Sequence, residues 1–212
     1  MVFGMYYNMP LIPGCSGSGV FHAFNRHLLH RLKVRVNPLS RDSKKVRIVV
    51  IDRQTKHRNI LNIDELVKAV RRKNKNFDVQ KVSFSHTMAF REQLEIVANT
   101  DVLIGMHGAG LTHCLFLPDD AVLFELYNCD DEHCYKDLAR LRGVKYMTWE
   151  KSDLVYAQDA GDHPQLGAHK KFTNYSFDKD EFVRLVLQAV KHVRNRRTKS
   201  SSGEAGVSRE EL

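Results

Sequence analysis

The amino-acid sequence predicts an α/β fold built on a doubly wound, parallel sheet. Apolar runs rich in β-branched residues alternate with helical patterns along the chain, as expected of strands that lie buried between two layers of helices. This alternation supplies five strands separated by four helices. A glycine-rich turn follows the third strand, at the end of the sheet where open α/β folds bind their ligands. The predicted sheet is therefore Rossmann-like.

The individual strands and helices follow from the spacing of the apolar residues. The first strand, "KVRIVVID", has the composition of a strand buried on both faces, whereas the segment after it places its apolar residues on one helical side. Asp178 stands where it would cap the last helix, and Gly143 stands where a helix would stop. The predicted strands are residues 45–52, 77–84, 101–106, 121–128 and 144–149, and the predicted helices are residues 19–34, 59–73, 90–100, 109–117, 130–143 and 178–197.

Three parts of the chain differ in composition. Residues 1–44 are predicted to be an N-terminal helical segment, residues 45–197 the Rossmann-like domain with its closing helix, and residues 198–212 a disordered tail rich in Ser, Gly and Glu. Within the domain, residues 150–177 are expected to form a long loop.

The net charge of +8 would suit a partner that bears phosphate. Much of the excess lies in local runs such as "RNRRTK", however, and solvated basic faces are the favoured explanation of such runs. The aromatic residues lie inside apolar runs and are not interleaved with Lys and Arg, which disfavours a nucleic-acid-binding domain. No apolar run approaches the roughly 18 residues that span a bilayer, so no membrane span is predicted.

The two ends of the chain give conflicting signals about its compartment. The first 15 residues lack the features of a secretory signal. The C-terminal residues Arg209, Glu210, Glu211 and Leu212 are close to the Lys-Asp-Glu-Leu class of retrieval signals, although a random acidic tail is the alternative. We therefore expect that an N-terminal part of the natural protein precedes residue 1.

Two further features bear on a lumenal location. The "NYS" motif makes Asn174 an N-glycosylation acceptor on an expected exposed segment. Cys129 and Cys134 are the only two of the four cysteines that are close in sequence, and an oxidising compartment could join them. No cysteine pair has zinc-finger spacing, and Asp130 and Asp131 are expected in the first turn of a helix, so no metal site is predicted.

The stretch "LIGMHGAGLTH" carries the most specific signal for ligand binding. Gly105, Gly108 and Gly110 lie where the third strand turns into its helix, so the backbone there can approach a ligand closely. The amide groups of residues 109–112, together with the helix dipole, would favour an anion such as a diphosphate. A purely structural tight turn is the alternative. The pattern matches neither the dinucleotide fingerprint nor the P-loop.

Charged side chains at the ends of the strands could complete such a site. Arg53 and Arg58 follow the first strand and could stabilise a diphosphate, or could be ordinary surface arginines. Glu125 could accept a hydrogen bond from a ribose hydroxyl, or could pair with a nearby Arg or His. His107 and His113 could contact phosphate or donate a proton, or could be neutral core histidines. His107 ranks ahead of His113 because it precedes the turn.

Several long motifs extend this interpretation to a family. "YYNMPLIPGC", "RNILNIDELV", "TDVLIGMHGAGLTHCLFLPDD", "FELYNC", "LARLRGV" and "HPQLGAHKKFTNYSF" closely resemble glycosyltransferase family 61 over nearly the whole chain. The resemblance implies an inverting enzyme of GT-B type in the lumen of the endoplasmic reticulum, which transfers N-acetylglucosamine from UDP-GlcNAc to Ser or Thr of extracellular EGF repeats. This chain would be its C-terminal, donor-binding domain, and the tail would engage the retrieval receptor.

The resemblance also assigns roles to residues. The donor site would comprise Arg53, Arg58, His107, Gly108, Ala109, Gly110, Leu111, Thr112 and Glu125. The general base is expected in the family's N-terminal half, which would precede residue 1, with His107 as a further candidate. No cofactor is firmly implied beyond UDP-GlcNAc as the donor substrate. Asp120 stands where the family has an aromatic residue. A non-catalytic nucleotide- or phosphate-binding module is the alternative function.

Overall fold

A computed structural model describes residues 17–40, 42–163, 165 and 167–203 of the chain. The strands are β1 (Val46–Ile51), β2 (Phe77–Val82), β3 (Val102–Gly105), β4 (Val122–Glu125), β5 (Lys145–Thr148), β6 (Val155–Ala157), β7 (Asp162–His163), β8 (Gly167–Ala168) and β9 (Tyr175–Phe177). The α-helices are α1 (Gly19–Arg31), α2 (Ile63–Lys73), α3 (Phe90–Ala98), α4 (Cys134–Arg142) and α5 (Lys179–Gly203). A 3₁₀ helix spans Ala109–Phe116, and shorter ones span Ser152–Leu154 and Lys170–Phe172.

The first five strands form one parallel sheet, which confirms the predicted α/β class. Every residue of β3 and β4 is buried, because helices cover both faces of the sheet. One apolar layer packs the sheet against α2 and α5, and the other packs it against α1, α3, α4 and the Ala109–Phe116 helix. A sheet covered in this way is compatible with a Rossmann-like fold.

The order of the strands locates the crevice in which such sheets bind ligands. The order is β2-β1-β3-β4-β5, so the chain runs from β1 outward to β2 and then crosses back to β3. The connections after β1 and β3 leave the sheet in opposite directions at their carboxyl ends, and the separation between them is the usual ligand site of a doubly wound sheet. The segments after β1 and β3 carry Arg53 and the glycine turn, respectively.

The predicted helix at residues 109–117 is a 3₁₀ helix and not an α-helix. Leu111, Cys114 and Leu117 are buried at intervals of three residues, and this interval matches the three residues per turn of a 3₁₀ helix. The amide of Leu111 accordingly donates to the carbonyl of Gly108, three residues earlier.

The boundaries of other elements also differ from the prediction. Helix α4 begins at Cys134, so Asp130 and Asp131 precede the helix and do not lie in its first turn. The expected loop at residues 150–177 contains β6 to β9, which form two antiparallel ribbons, because β6 pairs with β9 and β7 with β8. The β6–β9 pairing joins residues about 20 apart, as between Val155 and Phe177, and local periodicity does not report it.

The last helix is longer than predicted. Helix α5 continues to Gly203, so residues 198–203 are helical and not part of a disordered tail, while residues 204–212 lie outside the described part of the chain. Near this end of the helix, Arg197 is buried and binds Asp101 at 2.6 Å and the carbonyl of Lys45 at 3.0 Å. The predicted caps are confirmed, since Asp178 accepts from the amide of Glu181 and Gly143 ends α4 with a φ of 86°. Among the described residues, no helix is long and apolar enough to cross a bilayer.

Candidate functional site

The glycine turn brings the backbone against an arginine side chain. Residues 105–108 are all buried, and Gly108 has a φ of 153°, which side chains other than glycine rarely adopt. A Cβ atom at Gly108 would overlap the Nη1 atom of Arg53. The backbone conformation therefore favours glycine, and any side chain at this position would displace the Arg53 guanidinium beside the start of the Ala109–Phe116 helix.

A second arginine converges on the same turn. Arg58 Nη1 donates to the carbonyl oxygen of His107 at 2.9 Å, and Arg53 Nη1 lies 3.5 Å from the same oxygen. The buried Nε atoms of both arginines have no partner, and in the described part of the chain neither guanidinium forms an ion pair. Burial, reinforced by the neighbouring charge of Arg58, lowers the pKa of Arg53. Two adjacent cations without a counter-ion make this turn an attractive position for an anion.

The backbone adds fewer donors than predicted. At the start of a 3₁₀ helix only the first two amides lack a carbonyl three residues earlier within the helix, and these belong to Ala109 and Gly110. The amide of Leu111 is used by Gly108, and the Leu111 side chain is fully buried in the core. The hydroxyl of Thr112 donates to the carbonyl of Ala109 at 2.5 Å. The predicted role of Leu111 as an amide donor therefore does not match this arrangement, and the role of the Thr112 amide stays a prediction.

The ring of His107 lies in a buried polar chain beneath the turn. Its Nδ1 is 2.8 Å from Glu125 Oε1, and its Nε2 is 3.6 Å from Asp131 Oδ2. Tyr146 donates its hydroxyl to the other oxygen of Glu125 at 2.6 Å, and Lys171 pairs with Asp131 at 3.0 Å. Burial and the carboxylate of Glu125 raise the pKa of Tyr146, so this hydroxyl stays protonated.

This chain of contacts decides between the alternatives for Glu125 and His107. Glu125 is fully buried and both of its oxygens have protein partners, so pairing with a nearby histidine describes it better than an exposed ribose contact. Both ring nitrogens of His107 face carboxylates, and the part of His107 directed to the arginines is its carbonyl oxygen. The contact with Glu125 favours a buried structural histidine over a proton donor to substrate for His107.

His113 lies on the far side of the 3₁₀ helix from these groups. Its Nε2 is 3.0 Å from Gln93 Oε1, and its Nδ1 is 3.1 Å from the carbonyl of Gly110. The ring stacks on Phe84 with a centroid separation of 4.6 Å. Burial lowers the pKa of His113. The lowered pKa favours a neutral ring, which donates to only one of these two oxygens, and these protein contacts favour the core histidine that is the alternative to a phosphate contact.

The sequence does not predict three residues of the buried polar network around His107 and Glu125. These residues are Asp131, Tyr146 and Lys171. Asp131 was attributed to a helix start, and Tyr146 and Lys171 carry no motif. Each lies on a different element from Glu125, and Lys171 is 40 residues from Asp131. No local signal reports such contacts, although an acidic residue inside the apolar run "VLFELY" indicates that some buried donor must reach it.

The predicted disulfide and glycosylation sites have other contacts in the structure. Cys129 and Cys134 are free thiols; Cys129 is buried, and Cys134, which starts α4, is half-buried. Asn174 is half-buried and its amide bonds four protein groups. Within the described ranges, no group of three or more His, Cys, Asp or Glu side chains could hold a metal ion. Arg209, Glu210, Glu211 and Leu212 lie outside the described residues.

Comparison with known proteins places this site in a family. A sequence model of the family Glycosyltransferase 61 matches residues 6–124, more than half of the chain. The chain belongs to glycosyltransferase family 61. The matched region includes Arg53, Arg58 and the whole glycine turn, and it ends one residue before Glu125. The two arginines and the glycine turn therefore lie within the segment that matches the family model.

Individual relatives are similar over most of the chain. The chain is 57% identical over 193 residues to the EGF domain-specific O-linked N-acetylglucosamine transferase of Drosophila melanogaster. It is 55% identical over 194 residues to the proteins of the same name from Xenopus laevis and Mus musculus. Each alignment covers 91% of this chain but 36% of the relative, so the chain spans little more than a third of the proteins it matches.

Proposed function

We propose that this family 61 chain is the sugar-donor-binding domain of a GT-B-type, inverting protein O-N-acetylglucosaminyltransferase. Its donor would be UDP-GlcNAc, and the acceptors would be Ser or Thr residues of EGF repeats in the lumen of the endoplasmic reticulum. The names of the relatives support the sugar and the acceptor. The convergence of Arg53 and Arg58 on the glycine turn is the observation that carries the proposal.

The chemistry of the donor explains why this convergence matters. A UDP leaving group gains negative charge on its diphosphate as the bond to the sugar breaks. Guanidinium groups held in place before the reaction stabilise that charge without further reorganisation. Arg53 and Arg58 are held in this way by the carbonyl of His107 and by the absence of a side chain at Gly108. The free amides of Ala109 and Gly110 add two further donors beside them.

The buried chain below the turn has a supporting role in this proposal. Glu125 Oε1 lies 2.8 Å from Nδ1 of the His107 ring, and His107 presents its carbonyl oxygen to both arginines. His107 thereby orients both arginines. We place the general base in the part of the longer relatives that this chain does not span, because the His107 ring is buried and its Nδ1 lies 2.8 Å from Glu125 Oε1.

Binding of UDP to purified protein tests the proposal directly. Isothermal titration calorimetry should detect UDP binding, and Arg58→Ala should weaken it by about ten- to 150-fold, because a hydrogen bond to a charged group contributes about 1.5–3 kcal/mol. Arg58→Lys should restore only part of the loss, since an ammonium group lacks the planar, forked geometry of a guanidinium. Arg91→Ala is the matched control, because Arg91 is an exposed arginine on α3.

The same titration distinguishes the alternative function. Competition between UDP, ADP and inorganic phosphate reports whether the site recognises the whole nucleotide or only its anionic part. Equal affinities for UDP and ADP would indicate a general nucleotide- or phosphate-binding module. Undetectable UDP binding by a folded protein, or an unchanged affinity in Arg58→Ala, would contradict the donor-site assignment.

A further inference from the structure

Asn174 joins three segments that are distant in the sequence. It directly precedes β9, and its side-chain oxygen accepts from the backbone amide of Asn59 at 2.9 Å and from the side-chain amide of Asn59 at 2.8 Å. Its side-chain nitrogen donates to the carbonyl of Lys56 at 3.2 Å and to Asp159 Oδ2 at 2.8 Å. Both acceptor positions and both hydrogens of this amide are therefore used.

The segment that Asn174 holds is the one that carries Arg58. Arg58 has a φ of 59°, a left-handed conformation that a residue other than glycine keeps only when its surroundings enforce it. The amide of Arg58 donates to the carbonyl of Thr173 at 2.9 Å, next to Asn174 in the chain. Lys56 and Asn59 flank Arg58, and both bond the Asn174 side chain. Residue 173 thus bonds Arg58 itself and the Asn174 side chain bonds residues on both sides of it, while the amide of Tyr175 adds a bond to the carbonyl of Asn59.

We propose that Asn174 is a positioning residue of the anion site, which sets the backbone of residues 56–59 so that Arg58 reaches the carbonyl of His107, and that it carries no glycan in the folded protein. This inference rests on the proposed function, because Arg58 is taken to bind the diphosphate. An N-linked sugar replaces one hydrogen of the asparagine amide, and both hydrogens are already donated to protein acceptors. The "NYS" motif then matches the N-glycosylation sequence but is not glycosylated.

Two variants separate the role of the side chain from the role of the sequon. Ser176→Ala removes the sequon and leaves Asn174 and its four hydrogen bonds in place, whereas Asn174→Ala removes both. Each variant would be produced by secretion from cells that add N-glycans, with an entry signal attached. Intact mass spectrometry would report glycan occupancy, and calorimetry would report UDP affinity. We expect no glycan on the wild-type protein, unchanged affinity in Ser176→Ala, and affinity lowered about tenfold in Asn174→Ala.

Coupling to Arg58 distinguishes positioning from a general loss of stability. If Asn174 acts through Arg58, Asn174→Ala should weaken UDP binding by less than about twofold in a protein that already carries Arg58→Ala. An equal loss in both backgrounds would overturn the proposal. If Asn174→Ala does not fold, Asp159→Ala takes its place, because Asp159 is exposed and bonds Asn174. We expect a loss of several-fold in this variant, and an unchanged affinity would likewise overturn the proposal.

The remaining outcomes separate the two proposals from each other. A glycan on Asn174 in the fraction of wild-type protein that binds UDP would overturn this inference and leave the donor-site assignment intact. Equal loss of affinity in Ser176→Ala and Asn174→Ala would do the same. Absence of UDP binding by the wild-type protein, with normal folding, would instead remove the proposed function on which the inference rests.

Discussion

At the scale of single residues, Gly108 is the position whose identity the site constrains most. Its φ of 153° and the guanidinium of Arg53 beside it leave no room for a side chain. Gly108→Ala should displace Arg53 and lower the free energy of unfolding by about 1–3 kcal/mol through backbone strain. UDP affinity should fall to the level of Arg53→Ala. Thermal melting and calorimetric titration of both variants check this expectation.

Gly110→Ala is the control for this prediction. A Cβ atom there would lie 3.5 Å from Ile51 Cδ1, an ordinary contact, and the backbone of Gly110 does not require glycine. Its melting temperature should therefore stay close to that of the wild-type protein. A Gly108→Ala protein that melts normally and still binds UDP as the wild type does would show that Arg53 is not held as described.

His113 gives a prediction about pH at the same scale. Burial lowers its folded-state pKa, so below the unfolded-state pKa of about 6.5 the unfolded chain binds more protons than the folded one. The stabilisation from the neutral ring is therefore present above about pH 6.5 and is lost as pH falls toward the folded-state pKa. Urea unfolding should show a smaller difference between wild type and His113→Gln at pH 5.5 than at pH 7.5.

At the scale of secondary-structure elements, the start of α5 is the clearest test of local stabilisation. Asp178 accepts from the amide of Glu181 at 2.8 Å, which satisfies one of the unpaired amides of the first turn. Asp178→Ala should cost about 1 kcal/mol, within a usual range of about 0.5–2 kcal/mol. For a chain of this length that loss lowers the melting temperature by about 2–4 °C per kcal/mol.

The neighbouring acid provides the comparison for the cap. Asp180 lies in the same first turn of α5 and is exposed, so Asp180→Ala should lose only a favourable charge near the helix dipole, about 0.3–1 kcal/mol. Differential scanning calorimetry of the two variants at one pH would separate the contributions. A smaller loss in Asp178→Ala than in Asp180→Ala would argue against the capping role.

At the scale of the whole molecule, binding and catalysis should separate in this chain. The proposed donor site lies wholly within the described residues, whereas the general base is assigned to the part of the relatives that the chain does not span. Purified protein should therefore bind UDP but not transfer N-acetylglucosamine to a folded EGF repeat, because a general acid–base contribution alone is typically 10²–10⁴-fold. Radiolabelled UDP-GlcNAc provides the assay, and a full-length relative is the positive control. Turnover above background by this chain would place the base among its own residues.

The sequence by itself determined the features that depend on neighbouring residues. The five strands of the parallel sheet, the stop at Gly143 and the cap at Asp178 all follow from local spacing, because hydrophobic period and end chemistry act within a few residues. The position of the glycine turn at the end of β3 also follows from the local sequence. From the sequence, only the types of residue at the turn and after β1, glycine and arginine, support a role as an anion site.

Only the tertiary structure decided which groups meet at that turn. Arg53 and Arg58 converge on the carbonyl of His107 about 50 residues later because β1 and β3 are adjacent in the sheet. Glu125 accepts a hydrogen bond from Tyr146 on β5, and Asn174 accepts one from Asn59, which is 115 residues away in the sequence. Such contacts depend on how strands and loops pack against one another, and a buried polar group accepts whichever partner that packing supplies.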